Sequence, residues 1–310
     1  MTTAKLHLSL PSPLTPIAWP HASYGSHSIN VYVKRDDLIH PQISGNKWRK
    51  LAKTVAYIQR HSIKHVVSFG GGYSNHLHAL AYVCAQLDVK MTAIVRGDYS
   101  QNPTSTLQDI SAWGANIRYV NKLEYKRRVD ADYCQQLSRE LGAQLVIPEG
   151  GSSRHALEGV ATLVNECIEQ LPKLSHIILP VASAGSLAGV VHQMQQVNCK
   201  ASILGIGVLK GEGYLEQLCT DLLPQASATK PIPNWQILHN YHHGGYAKSS
   251  PELLAFIQQF TQHTNIPLEP VYSGKCFYAL DHLLQTHYFP VQSEVLVLHT
   301  GGLQGSVAPN

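Results

Sequence analysis

The most chemically pointed segment of the chain is Ser44-Gly45-Asn46-Lys47-Trp48-Arg49-Lys50-Leu51, a small polar turn that delivers one lysine to a helix start. Upstream of it, Val31-Tyr32-Val33-Lys34-Arg35-Asp36-Asp37-Leu38 reads as a strand running into a charged turn. The positive end of a helix dipole and the neighbouring cations Arg49 and Lys50 disfavour the charged form of Lys47. A neutral amine so placed forms a Schiff base with an aldehyde. Taken alone, the segment also fits an ordinary solvated lysine at a helix start, which is the commoner case.

Four further segments carry polar groups at places where strands give way to loops. Gly70-Gly71-Gly72-Tyr73-Ser74-Asn75-His76 is a glycine turn entering a helix, and it presents Ser74, Asn75 and His76; a plain helix cap would use the same residues. Ala182-Ser183-Ala184-Gly185-Ser186-Leu187 is a small-residue turn after an apolar strand. Its backbone can approach an anion, and a helix beginning near Ser186 aims free N–H groups at it, with the Ser183 and Ser186 hydroxyls as extra donors. Tight helix–sheet packing would favour the same small residues. Tyr272-Ser273-Gly274-Lys275 follows an extended Glu269-Pro270-Val271, where Tyr272 also fits a buried aromatic at a strand end. His299-Thr300-Gly301-Gly302 closes the last strand.

The elements that must position these groups alternate. Apolar strands are expected at 65–69, 89–95, 117–120, 144–148, 176–181, 203–208 and 295–298, with a shorter one at 31–33. Helices are expected at 75–87, from about 103 to 114, over a long polar run 125–141, at 156–171 and from about 186 to 194. Others are expected at 214–223, at 251–264 and after Gly274. Leu157, Val160, Leu163, Val164, Cys167 and Ile168 show the helical spacing of the 156–171 segment. Strands alternating with helices imply an α/β fold with parallel sheets covered on both faces. Such sheets bind ligands where strands end in loops.

Composition is in keeping with this. A chain of 310 residues with 44% hydrophobic and 14% charged residues suits two medium domains with well-buried sheets. A net charge of +4, with scattered basic residues, does not argue for nucleic acid. The paired His242-His243 and the alternate His76 and His78 lack the spacing that puts two metal ligands on one helix face, so no metal is expected. The six cysteines show no Cys-x-x-Cys pattern, which suggests reduced thiols in a cytosolic protein. No apolar leader or membrane-length run is present, so neither secretion nor a membrane partner is expected.

Taken together and in order, the Lys-Arg-Asp-Asp strand, the Ser-Gly-Asn-Lys-x-Arg-Lys-Leu turn, the Gly-Gly-Tyr-Ser-Asn-His turn and Pro270-Val271-Tyr272-Ser273-Gly274-Lys275 carry a resemblance. From about residue 14 to about 305 the chain resembles the 1-aminocyclopropane-1-carboxylate (ACC) deaminase and D-cysteine desulfhydrase family of pyridoxal-phosphate enzymes. That resemblance implies the tryptophan synthase β-like fold, with a large domain from 1–50 and 151–310 and a small inserted α/β domain at 51–150. It implies pyridoxal 5'-phosphate as cofactor, an amino-acid substrate and a homodimer. By the same resemblance Lys47 carries the cofactor as a Schiff base, Asn75 bonds its phenolic oxygen, and Ser183, Ala184, Gly185, Ser186 and Leu187 hold its phosphate. Ser273 and Thr300 then lie near the pyridine ring. Ser74, Asn75, His76, Tyr246 and Tyr272 face the substrate, with Lys47, Ser74 and Tyr272 as the catalytic groups. Ala182 and Ala184 stand where relatives often have glycine, and 303–307 departs from the usual apolar ending.

Two residues bear on the substrate. ACC deaminases typically carry glutamine where this chain has His76, and glutamate where it has Ser273. A glutamate would keep the pyridine protonated, whereas a neutral hydroxyl suits β-elimination, in which little carbanion charge need accumulate in the ring. The expected activity is therefore D-cysteine desulfhydrase-like elimination giving pyruvate, ammonia and sulfide. The alternatives are ACC deaminase and a protein that binds the cofactor or an amino acid without turnover.

Overall fold

Runs of uninterrupted apolar residues make strands that must be buried on both faces, and a computed structural model of the chain places them in two sheets. It describes residues 6–19, 29–43, 45–224 and 231–303. The larger sheet contains β1 (Leu14–Ile17), β2 (Asn30–Lys34), β7 (His176–Val181), β8 (Ser202–Gly207), β9 (Trp235–Leu238) and β10 (Glu294–Leu298). Its order is β1-β2-β10-β7-β8-β9, parallel throughout except that β1 runs antiparallel to β2. The smaller sheet contains β3 (His65–Gly71), β4 (Lys90–Arg96), β5 (Asn116–Val120) and β6 (Leu145–Ile147), all parallel in the order β5-β4-β3-β6.

Ten α-helices among the described residues cover these sheets: α1 (Asn46–Arg60), α2 (Asn75–Gln86), α3 (Ser105–Ala112), α4 (Lys122–Lys126) and α5 (Ala131–Leu141), then α6 (Arg154–Gln170), α7 (Gly185–Gln196), α8 (Tyr214–Leu222), α9 (Pro251–Thr264) and α10 (Ser273–Gln285). No described helix is long and apolar enough to cross a membrane. All six cysteines are free thiols, four of them buried.

Three expectations are corrected. The long polar helix over 125–141 is broken: α4 ends in a 3-10 turn, and Asp130 takes an extended conformation and caps α5 by accepting from the Asp132 N–H. A short aspartate that satisfies a helix N-terminus competes with continuing the helix through it. Residues 269–272 form a turn rather than a strand end, with α10 beginning directly after Tyr272. The edge strands β1 and β9 escape the periodicity argument; β1 contains Pro16, which an edge strand tolerates. Ser44 of the lysine turn and the divergent ending from Gln304 onward lie outside the described residues.

Helix α1 is fixed in place by a buried cluster of charges. Arg49, 1% exposed, bonds the Asp36 carboxylate at 2.8 Å and Glu166 on α6 at 2.7 Å. Lys34 from β2, fully buried, bonds Glu166 at 2.8 Å, and Ser12 donates its hydroxyl to Asp36 at 2.6 Å. Burial alone would raise the Glu166 carboxyl, but the bonds from Arg49 and Lys34 bring it below its ordinary value. Helices α1 and α6 also approach until backbone meets backbone, because a Cβ on Gly159 would lie 2.0 Å from the Arg49 carbonyl oxygen.

Glu166→Gln tests this cluster. Removing one charge of a buried network leaves Lys34 without its described carboxylate and Arg49 with Asp36 alone, so the substitution should cost about 3–5 kcal/mol in urea unfolding. A loss near zero would show that the cluster does not anchor α1.

Candidate active site

Lys47 emerges at the first turn of α1, at the C-terminal edge of the larger sheet. Gly45 precedes it with φ of 67°, and a Cβ there would lie 1.8 Å from the Thr300 carbonyl oxygen, so only glycine lets the turn pass so close to the loop after β10. The Asn46 N–H donates to that same Thr300 oxygen at 3.3 Å. The Lys47 amine donates to Asn46 Oδ1 at 2.6 Å, and the Asn46 amide donates in turn to Ser186 Oγ at 3.1 Å. Burial lowers the Lys47 pKa from 10.5 to about 8, with the Glu269 carboxylate partly opposing the shift. The cause is therefore desolvation, and not the neighbouring cations expected from the sequence. Arg49 is neutralised by Asp36 and Glu166, while Lys50 is itself pushed well below its ordinary value by burial and by Lys47.

Lys50 is the residue that sequence reasoning passed over. One helical turn after Lys47 it reaches Ser152 Oγ and Ser183 Oγ, each at 3.3 Å, and the described contacts give it no carboxylate. Ser152 donates to Ser183 at 3.0 Å, and a Cβ on Gly185 would lie 2.5 Å from Ser152 Oγ and 3.3 Å from the Lys50 side chain. These groups and the first N–H groups of α7 line one small cradle. A buried amine held only by hydroxyls, whose protonation an arriving anion would restore, beside a helix N-terminus, is arranged for an anion with several oxygens. The legible signal was the i, i+3 spacing of the two lysines together with the serines after Gly150-Gly151. Ala184 caps α7 with φ of 54°, a left-handed backbone that costs a residue with a Cβ about 1 kcal/mol. Where relatives often have glycine, this chain thus holds an alanine in a left-handed conformation.

The smaller sheet contributes the loop between β3 and α2. Ser74 caps α2, accepting from the Leu77 N–H at 3.2 Å. The loop is clamped from outside: Thr104 donates to the Gly72 carbonyl, and a Cβ on Gly72 would strike the Tyr99 ring at 2.6 Å. Asn75 points its amide at Gly302, and its Oδ1 is buried with no protein partner. His76 is placed differently from its neighbours. Its ring is 2% exposed, and Nε2 donates to Ser68 Oγ at 2.8 Å while that hydroxyl donates to the Ile147 carbonyl. The imidazole packs beneath Gly151, kept neutral by burial and by Lys50 and Lys47, so its described contacts are with the scaffold.

The third wall is the start of α10. The Lys47 amine lies 5.9 Å from the centroid of the Tyr272 ring. The Tyr272 hydroxyl shares a 2.8 Å hydrogen bond with that of Tyr246, and burial beside that partner pushes the Tyr272 pKa well above 10.0. Ser273 is fully buried and its hydroxyl lies 3.0 Å from Glu269 Oε1. Burial raises the Glu269 carboxyl, which accepts N–H bonds from Val271, Tyr272 and Ser273. The site thus brings Lys47, Tyr272, Tyr246, Ser183 and Ser186 into one connected set, with Asn75 joined to it through Gly302 and Thr300.

An amine of lowered pKa, an anion cradle one helical turn away and an orphaned amide oxygen between them suit an aldehyde that also carries a phosphate. The sequence profile of the pyridoxal-phosphate-dependent enzymes matches residues 8–301, and the chain belongs to that family. Pyridoxal phosphate is accordingly its cofactor, and the residues present fit it. The chain is 28% identical over 312 residues to the mitochondrial bifunctional D-cysteine desulfhydrase/1-aminocyclopropane-1-carboxylate deaminase of Arabidopsis thaliana, covering 96% of this chain and 77% of that one. It is 27% identical to the D-cysteine desulfhydrase of Serratia proteamaculans, covering 88% and 86% of the two chains. The crystal structure of an ACC deaminase homologue superposes with a TM-score of 0.79 at 25% identity, over 96% of this chain and 91% of that one.

The lowered Lys47 pKa can be read directly. Trapping a small aldehyde on the cofactor-free protein with borohydride, across a pH series, should give modification at Lys47 with a midpoint near about 8. Below that pH the amine is protonated and unreactive; above it the free base dominates. A midpoint at the ordinary lysine value would contradict the burial argument.

Proposed function

We propose that the protein is a lyase that eliminates the β-thiol of D-cysteine, giving pyruvate, ammonia and sulfide. The observation that carries this reading is at the start of α10. There a neutral Ser273 stands where a carboxylate would favour ACC, and the nearby Glu269 carboxylate is taken up by three backbone N–H groups and by the Ser273 hydroxyl, which donates to it. The names of the Arabidopsis and Serratia relatives support the same reading.

When bound, pyridoxal phosphate supplies an electron sink that acidifies the hydrogen on the substrate's α-carbon. Lys47 Nζ would hold it covalently, and Asn75 would bond its phenolic oxygen. Ser183, Ser186, Lys50 and the Leu187 N–H, with Ala184 and Gly185 shaping the turn, would hold its phosphate. Ser273 and Thr300 would lie toward its ring. Lys47 Nζ, freed by substrate, takes the α-proton on one face, with Ser74 placed to hold the substrate carboxylate or relay a proton on the other. The Tyr272 hydroxyl, kept protonated by its raised pKa, gives its proton to the departing sulfur or orients it, with Tyr246 bonded behind. His76 acts on substrate through the loop that it supports from below.

The division into a large domain (1–50 and 151–310) and a small inserted one (51–150) belongs to this proposal and is supported by the two separate sheets. A homodimer and a cytoplasmic location complete it. The first test is sulfide release from D-cysteine by the purified protein, with Lys47→Ala as control. Sulfide from the wild type alone, with little or no 2-oxobutanoate from ACC, is the expected result. No sulfide with the cofactor normally bound would overturn it, and 2-oxobutanoate in quantity would move ACC to the front.

A further inference from the structure

Lys275 is a fully buried lysine with no carboxylate in its described hydrogen bonds, and nothing in the chemistry above uses it. Its ammonium donates to the Gly245 carbonyl at 2.8 Å and to the Val208 carbonyl, at the end of β8, at 3.1 Å. Burial lowers its pKa from 10.5 to about 8, with Glu269 opposing, so keeping it there is costly. A leucine or methionine would fill the same volume without that cost. The structure keeps a cation whose visible employment is to grip two carbonyls.

One of those carbonyls belongs to an unusual loop. His243, Gly244, Gly245 and Ala247 have φ of 47°, 95°, 124° and 54°, four left-handed residues within five positions, two of them not glycine. Such strain persists only where the surroundings over-determine it, and it collects at functional sites. The Gly245 carbonyl is the point of closure, since it also accepts the Lys248 N–H at 3.1 Å. The next residue is Tyr246, whose hydroxyl meets that of Tyr272 at 2.8 Å. Tyr272 stands one helical turn before Lys275 on α10. The loop and the helix start are therefore tied twice, once by Tyr246 bonded to Tyr272, whose ring faces the Lys47 amine, and once by Lys275.

We infer that Lys275 is a positioning residue: by pinning the Gly245 carbonyl it holds the strained 243–247 loop in the one conformation that sets Tyr246 against Tyr272 over the substrate site. It touches neither cofactor nor substrate and acts through Tyr246. The inference rests on the substrate-facing role proposed for Tyr246 and Tyr272, while the pin itself does not.

The experiment compares Lys275→Met, Tyr246→Phe and the double variant as cofactor-loaded proteins. Lys275→Met should speed amide hydrogen exchange at 243–248 and leave that of β7 and α7 unchanged. It should raise KM for D-cysteine by about tenfold or more, with the absorbance of the lysine-bound cofactor unaltered. Because the lysine acts through the tyrosine, the double variant should be no worse than the poorer single one, so the two effects should fail to multiply. Unchanged exchange at 243–248 would overturn the pin. Multiplying effects, or a loss of cofactor with no change in KM, would reduce Lys275 to a scaffold residue. If the methionine variant does not fold, Lys275→Gln, which can still donate to one carbonyl, takes its place with the same readouts. Should the wild type release no sulfide, the exchange measurement still decides the pin, and the substrate reading fails by itself.

Discussion

Everything at this site depends on where one helix begins. Helix α1 packs along α6, and its opening turns carry both the reactive amine and the second amine, that of the anion cradle. Its position is set by a buried quartet, Lys34, Asp36, Arg49 and Glu166, drawn from β2, the turn after it, α1 and α6. Desolvating four charges is expensive, and such a cluster rarely adds stability over well-packed apolar residues. What it supplies is direction. Guanidinium and carboxylate bond at fixed angles, so α1 cannot slide or rotate without leaving a charge unpaired. The two glycine contacts, Gly45 on Thr300 and Gly159 on Arg49, then set how closely the helix approaches.

Electrostatics at the site follow from burial more than from neighbouring charges. Lys47, Lys50 and Lys275 all lose affinity for their protons chiefly because they leave water. Glu269 answers on the other side, raised by burial yet held by the N–H groups at the start of α10. In the cleft itself the Lys47 amine, brought to about 8, is the group poised to give up and take back a proton.

The sheets were legible in the sequence because both-faces-buried strands read as continuous apolar runs, and 176–181 is the strand that the pattern indicates; helix 251–264 likewise has the expected bounds. The edge strands were not, since Leu14–Ile17 contains a proline and Trp235–Leu238 is too short for periodicity to register. Lys47, Asn75, Ser183 and Tyr272 announce themselves through local motifs. Lys50, Ser152, Glu269 and Lys275 stand in or beside those motifs, but the motifs do not reveal what they touch. The roles of Lys50 and Lys275 arise from contacts between residues as much as 133 positions apart, as between Lys50 and Ser183, and no local pattern encodes a contact of that range. The cause of the Lys47 shift was hidden for the same reason, because a sequence shows which charges are adjacent but not which are already paired.

The reactive amine and the phosphate-holding amine ride on one rigid helix, three residues apart. Their separation is fixed by helical geometry, a rise of about 4.5 Å, and not by any arrangement of the two sheets. The loop bearing Ser74 and Asn75 hangs instead from the smaller sheet. Any displacement of the smaller sheet would therefore move Ser74 and Asn75 together against the two amines while leaving the spacing of the amines as it is.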